Sequence, residues 1–272
     1  MIVAVSDIHL GYEKSNKNDF KVFITDFLEK ENIEHLVLLG DILDFWRRLN
    51  EGVMLENNEI LHMLGNLKME KHFVVGNHDF CLSHLSKCDN LPFEFTDSLV
   101  LKSGQKRFRF IHGFQIEFAN ILPLYKCLCQ QLCGSGDEVG KILSNIWARY
   151  EKLRKFFRKS SEDQIYDLGT LNNKDLKEIV EFISKSPEER KPLEKGKMSY
   201  LFRKELMNNP GLIAEYDRSI GLKPGEILVY GHTHNPVLKE FEINTGSWVQ
   251  GDHRSNSYVV IDEGKAELKY WE

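Results

Sequence analysis

Apolar and polar positions alternate in two different rhythms along this chain. Residues 2–5 are a short β-branched run that stops at Ser6, the pattern of a buried strand. Residues 19–30 carry Phe20, Phe23, Ile24, Phe27 and Leu28 at helical spacing. A second buried-type strand follows at 35–39, ended by Gly40. A second helix is predicted over 55–67, with Ile60, Leu61, Leu64 and Leu67 on one face. A third short strand at 72–75 is ended by Gly76. This strand–helix–strand–helix–strand order predicts parallel pairing through helical crossovers.

From residue 99 the rhythm changes to strands alone. Residues 99–111 read as a hairpin turning at Ser103-Gly104-Gln105. Residues 227–230, 236–243, 257–261 and 266–270 read as further strands, the last two joined by a turn at Asp262-Glu263-Gly264. The expectation is two packed sheets flanked by helices, an α/β fold. Between these parts, 115–223 shows helical periodicity and almost no strand pattern. Ile142, Leu143, Ile146, Trp147, Tyr150, Leu153, Phe156 and Phe157 form an apolar stripe, with Arg149, Lys152, Arg154, Lys155, Arg158 and Lys159 mostly off it. A core from 1–114 and 224–272, interrupted by a helical insertion at 115–223, is the expected organisation.

Composition narrows the partners. The 272 residues are 42% hydrophobic and 28% charged, as in an ordinary globular protein. A net charge of -5 argues against a dedicated duplex binder. Five cysteines are an odd number in a chain too large to need staples, which points to a reducing, cytoplasmic setting. The apolar N-terminal run reads as a strand rather than a leader. No apolar run reaches the ~20 residues of a membrane span, though peripheral membrane contact stays compatible.

The chemistry sits where the predicted strands end. Asp7-Ile8-His9 follows the first strand and Gly40-Asp41-Ile42-Leu43-Asp44 the second. Gly76-Asn77-His78-Asp79 follows the third, His112-Gly113 closes the hairpin arm, and Gly231-His232-Thr233-His234 follows 227–230. In α/β sheets, groups at strand ends converge. One D-x-H triplet is common by chance; five such motifs in this order are not.

These motifs closely resemble those of the calcineurin-like metallophosphoesterase superfamily, whose pattern runs D-x-H, G-D-x-x-D, G-N-H-D or G-N-H-E, H, and G-H-x-H. The resemblance spans Asp7 to His234. It implies a four-layer α-β-β-α sandwich of two mixed sheets and two divalent cations. One would be held by Asp7, His9, Asp41 and His234, the other by Asp41, Asn77, His112 and His232, with Asp41 bridging. Imidazole with carboxylate or amide oxygen suits Mn first, and Fe, Zn, Ni or Co, rather than Ca. A hydroxide between the cations would attack phosphorus. His78 would act as general acid or stabilise developing charge. Asp44 and Asp79 would orient histidines of the site.

Around the motifs, Trp46, Phe80, the insertion and Asn244-Thr245-Gly246-Ser247-Trp248 are similar to the branch containing UDP-2,3-diacylglucosamine pyrophosphohydrolases. There the insertion caps the site and holds acyl chains. The best-known lipid A enzymes carry Arg where this chain has His78, so the expected substrate is a phosphate-containing small molecule or lipid-linked diphosphate rather than one named compound. Arg47 and Arg48 are candidate phosphate binders, balanced against a solvated helix start. A nuclease or nucleotide phosphodiesterase, with nucleic acid as substrate, is the second reading; a non-catalytic protein-binding module on this fold is the third. Cys127, Cys129 and Cys133 read as packing rather than as a zinc site. His35, His62, His72 and His84 fall in none of the motifs and read as structural or surface residues, while His253 could approach the site.

Overall fold

The computed structural model describes residues 1–118, 122–133, 220–252 and 254–272. The first half builds β1 (Ile2–Val5), α1 (Lys17–Phe23) continuing into a π-helical turn (Ile24–Leu28), β2 (His35–Leu38), α2 (Asn50–Glu56), α3 (Asn58–Asn66) and β3 (Glu70–Val74). A 3₁₀ segment (Phe80–Lys87), β4 (Glu94–Thr96), the hairpin β5 (Leu99–Ser103) and β6 (Lys106–Phe110), α4 (Phe114–Glu117) and α5 (Leu122–Leu132) follow. The C-terminal part adds β7 (Glu226–Tyr230), β8 (Val237–Lys239), β9 (Glu242–Asn244), β10 (Ser257–Asp262) and β11 (Lys265–Tyr270).

The strands form two mixed sheets. One is six-stranded, ordered β11-β10-β1-β2-β3-β4, and the other five-stranded, ordered β5-β6-β7-β9-β8. Strands β1 to β4 run parallel, and so do β6, β7 and β9. Strand alternation sorts the core into layers. Ile2, Ala4, Val37, Leu39 and Val74 point from the first sheet onto Phe108, Phe110, Ile227, Val229 and Ile243 of the second. The intervening residues Val3, Val5, Leu36, Leu38 and Phe73 point the other way, onto Phe20, Phe23, Ile24, Val53, Ile60 and Leu64 of the helices. On the outer face of the second sheet, Leu228 and Tyr230 pack with Ile116 of α4 and Ile220. This is the expected α/β architecture. No helix among the described residues is long and apolar enough to cross a membrane.

The structure corrects three local expectations. The helix predicted over 55–67 is two helices, α2 and α3, that part at Asn57. Asn57 sits at φ -111°, and its side-chain Nδ2 donates to the Val53 carbonyl at 2.8 Å beside its own backbone amide at 3.2 Å, closing the end of α2. The strand predicted over 236–243 is the hairpin β8–β9, antiparallel with Lys239 opposite Glu242. The strand β4 went unpredicted because its three residues include Glu94 and Thr96 and show no apolar run. The apolar stripe and basic flank of 142–159 lie outside the described residues, as does His253.

Candidate metal centre

All five motifs lie at the carboxyl ends of parallel strands, and backbone bonds lace them together. The Asp7 amide donates to Gly40 O at 3.0 Å and the His9 amide to Asp41 O at 2.9 Å. Gly231 N donates to His112 O at 2.8 Å, and Trp248 N to Asp7 O at 3.0 Å. Asp7, His9, Asp41, His232 and His234 all adopt left-handed backbone, with φ of 54°, 52°, 52°, 66° and 53°. Each such residue costs about 1–3 kcal/mol, and strain of this kind gathers at functional sites.

The aspartate and histidine candidates are anchored through polar contacts around the site. Asp7 accepts from the Ser6 hydroxyl and, at 2.8 Å, from the His232 amide through Oδ2. Its Oδ1 is buried without a hydrogen-bond partner and lies 3.3 Å from His234 Nε2. Asp41 Oδ1 accepts the His78 amide at 2.8 Å, while Oδ2 lies 3.2 Å from His112 Nε2 and 3.8 Å from His9 Nε2. His112 Nδ1 donates to Leu39 O at 2.8 Å, leaving Nε2 buried and unpartnered. Asn77 is buried, and its Oδ1 is likewise without a partner. His9 Nδ1 is 3.0 Å from Asp44 Oδ2, and His234 Nδ1 is 2.6 Å from Asp252 Oδ2. His232 Nε2 is 2.7 Å from Glu117 Oε2.

The inward atoms form two neighbouring sets. Asp7, His9 and His234 make one, and Asp41, His112 and His232 the other; within each set the donor atoms lie within 4.8 Å of one another, and His9 and Asp41 group with His78 by the same measure. Buried, unpartnered oxygen and nitrogen atoms are costly unless something binds them. The donor set is imidazole and carboxylate, with a carboxylate or, for His112, the Leu39 carbonyl holding the far side of each ligating histidine. This is how metal-binding histidines are oriented. The residues therefore fit divalent cations, two sets flanking Asp41.

The electrostatics carry the same imprint. Burial pushes Asp7 and Asp41 up, but the facing His112 and His234 hold Asp7 below the ordinary carboxylate range, and His112 and His78 hold Asp41 well below it. Burial pulls His112 and His234 down, yet Asp41 and Asp7 raise His112 to about 9, and Asp7 and Asp252 raise His234 to about 10. The buried carboxylates thus favour positive charge at the positions their facing rings occupy. Asp79 is raised to about 7 by burial and by the Asp41 charge.

The remaining expected site residues separate. Asp44 is buried, with Oδ2 3.0 Å from His9 Nδ1 and Oδ1 accepting from His78 Nδ1 at 3.0 Å. Asp79 meets backbone instead: Oδ1 accepts Gly76 N at 2.6 Å and Oδ2 accepts Ile42 N at 2.8 Å, which clamps two motif loops together. His78 stacks on Trp46 with centroids 4.2 Å apart. Arg47 bonds to Asp44 and lies 4.1 Å over the Tyr12 ring, at the rim of the site. Arg48 turns to Glu56 on the exposed surface. Cys129 is buried in the core beside Tyr125, and Cys133 packs against the same cluster. Glu117 and Asp252 were missed from the sequence. Asp252 stands beside His253 in the segment already noted, whereas Glu117 gave no sign, because its approach depends on the turn that α4 makes after Gly113.

The motif glycines are steric requirements. A Cβ on Gly76 would collide with the Asp41 carboxylate and amide, and one on Gly231 with Ser6 Oγ and Asp7 Oδ2. Gly76 has ordinary backbone, so its constraint is space alone. Gly76→Ala is expected to cost about 1–3 kcal/mol by overpacking and to weaken metal retention. Thermal denaturation with metal analysis checks this, and wild-type values for both would refute the steric role.

Comparison with known proteins places these observations. The calcineurin-like phosphoesterase family matches the chain over residues 1–236. An uncharacterised metallophosphoesterase-like protein, YydB, from Bacillus subtilis is 25% identical over an alignment of 198 residues that covers 61% of this chain. The chain spans about 40% of the length of that relative. Among solved structures, vacuolar protein sorting 29 from Cryptosporidium parvum aligns with a TM-score of 0.40 at 15% identity, over 98% of this chain and 94% of that one. An uncharacterised predicted phosphoesterase from Streptococcus pneumoniae aligns with a TM-score of 0.32 at 14% identity, over 98% and 86%.

Proposed function

The chain belongs to the calcineurin-like phosphoesterase family, and from that premise we propose that it hydrolyses a phosphodiester or diphosphate bond at a pair of divalent cations. The observation that carries this reading is the position of Asp41. Its Oδ2 lies between His9 Nε2 at 3.8 Å and His112 Nε2 at 3.2 Å, so one carboxylate faces both donor sets. Asp7, His9, Asp41 and His234 would hold one cation, and Asp41, Asn77, His112 and His232 the other. Cations bound there supply Lewis-acid polarisation of a phosphoryl group and a water of lowered pKa. Manganese is the first choice for this donor set, with Fe, Zn, Ni and Co compatible.

The chain's own residues supply the rest. Burial alone would raise Asp44, but His78 and His9 hold it well below the usual carboxylate range, so it stays ionised. It accepts His78 Nδ1–H and aims Nε2 at the site, 3.9 Å from Asp41 Oδ2. Trp46 fixes the plane of the ring from one side. His78 is thereby placed to donate a proton to a departing oxygen or to offset charge developing there. Arg47, with its side chain 39% exposed at the rim, is the basic group best placed to meet an outer phosphate.

The finer substrate reading is an amphiphilic diphosphate of the UDP-2,3-diacylglucosamine type, supported by the Trp46 platform and by the helical periodicity of 115–223. A hydrolysis screen in Mn²⁺ tests it, with nucleotide diphosphate-sugars, acylated and not, set against cyclic nucleotides, mononucleotides and single-stranded DNA. Preference for the acylated diphosphate-sugars is expected. Preference for DNA would replace this reading with a nuclease, and no turnover on any of them with Mn²⁺ bound would favour a protein-binding role.

A further inference from the structure

A second cluster of metal-ligand type lies at the opposite end of the six-stranded sheet, outside every motif. His35 opens β2, and Glu70 and His72 lie on β3, with His35 directly paired with Glu70 across the parallel ladder. Residues 35 and 37 share a face, as do 70, 72 and 74, so all three side chains lie on the face that Val37 and Val74 turn toward the second sheet. His35 Nδ1 is 3.1 Å from His72 Nε2 and 3.2 Å from Glu70 Oε2, and His72 Nε2 is 3.9 Å from Glu70 Oε2. Three donors thus meet at one point.

The far side of each ring is also organised. His72 Nδ1 is 2.6 Å from Oε2 of Glu94, its ladder partner on β4. His35 Nε2 faces Glu34 Oε1 at 3.7 Å. Glu94 on the outer nitrogen of His72 keeps that ring's proton there, so His72 Nε2 presents its lone pair inward, toward His35 Nδ1 and Glu70 Oε2. His35 Nδ1, 3.1 Å from that lone pair and 3.2 Å from the Glu70 carboxylate, meets them with its own ring proton when no ion is bound and with its lone pair when the three share a cation. Carboxylate behind histidine is the arrangement that orients metal ligands. The His72 side chain is only 6% exposed, whereas Glu70 is 71% exposed, so one ligand is fixed in the fold and another reaches in from water.

We propose that His35, Glu70 and His72 form a separate binding site for a Zn²⁺-class dication, with Glu94 positioning His72. Two imidazoles and one carboxylate favour Zn, Co, Ni or Cu over Mg or Ca, and leave a coordination position for water. The site is distinct from the candidate catalytic centre: His72 precedes Asn77 by five residues, roughly 16 Å of extended chain. A cation there would tie β2 to β3 and, through Glu94, to β4, and would stabilise the sheet by mass action.

The test is zinc stoichiometry of the purified full chain after equilibrium dialysis, compared with His35→Gln and Glu70→Gln. Glu70 is largely exposed, so its amide variant keeps the reading independent of folding. Both variants are expected to bind one Zn²⁺ fewer per chain than the parent. Glu94→Gln should weaken that one equivalent ~10–100-fold. Because the readout is a difference between parent and variant, it does not depend on how many ions the motif residues hold. Equal stoichiometry in the parent and both variants would overturn the proposal.

Discussion

Asp41→Asn is expected to lower turnover of bis-p-nitrophenyl phosphate by ~10³-fold, the equivalent of several kcal/mol of Lewis-acid stabilisation at 1.36 kcal/mol per decade. The substitution is nearly isosteric, and Oδ1 can still accept the His78 amide now bonded at 2.8 Å. What it removes is the negative charge between His9 and His112, the two rings whose Nε2 atoms face Asp41 Oδ2. Metal content measured on the same preparation should fall as well. A variant that retained full turnover and metal would show that the two donor sets do not share this carboxylate.

The second large effect belongs to His78. His78→Gln should leave metal content largely intact: the ring also groups with His9 and Asp41, but Asp44 holds its Nδ1 at 3.0 Å, and its Nε2 stands 3.9 Å from Asp41 Oδ2 against 3.2 Å for His112 Nε2. It should reduce kcat ~10²–10⁴-fold on substrates whose leaving oxygen must be protonated, the range for a positioned general acid. On p-nitrophenyl diesters, whose leaving group departs as a stable anion, the loss should be much smaller. Comparing alkyl with p-nitrophenyl leaving groups therefore separates a proton donor from a residue that only positions Asp41. An equal loss on both would place the role of His78 in positioning.

Much of this arrangement was legible in the sequence, for reasons that differ by element. The strands β1 and β2 and the second half of β3 read clearly because they are buried on both faces, so each apolar run ends sharply near Ser6, Gly40 or Gly76, while Glu70 and Lys71, which open β3 toward solvent, gave no strand pattern. The motif residues were legible because they follow those ends directly. Elements settled by one local event were not. The break between α2 and α3 depends on a single Asn57 side chain folding back on Val53 O, and β8–β9 on a turn that leaves Phe241 58% exposed. Helical spacing across 55–67 carries no trace of the first, nor does the apolar character of 236–243 reveal the second.

At the site, residue types in the motifs were readable but their partners were not. That Asp44 serves His9 and His78, while Asp79 serves only backbone amides of Gly76, Ile42 and Leu43, follows from how two loops cross. Glu117 and Asp252 reach His232 and His234 from 115 and 18 residues away in sequence. His35 and His72 passed as structural or surface residues because their meeting depends on strand register, with His35 beside Glu70 and His72 beside Glu94. Register is a tertiary property that periodicity within one strand does not encode.

The central claim is that Asp41 stands between two cations. Anomalous diffraction from crystals of the full chain grown with Mn²⁺ tests it most directly. Two peaks are expected, one among Asp7, His9 and His234 and one among Asn77, His112 and His232, both in contact with Asp41. A single peak, or two peaks of which one does not touch Asp41, would contradict it.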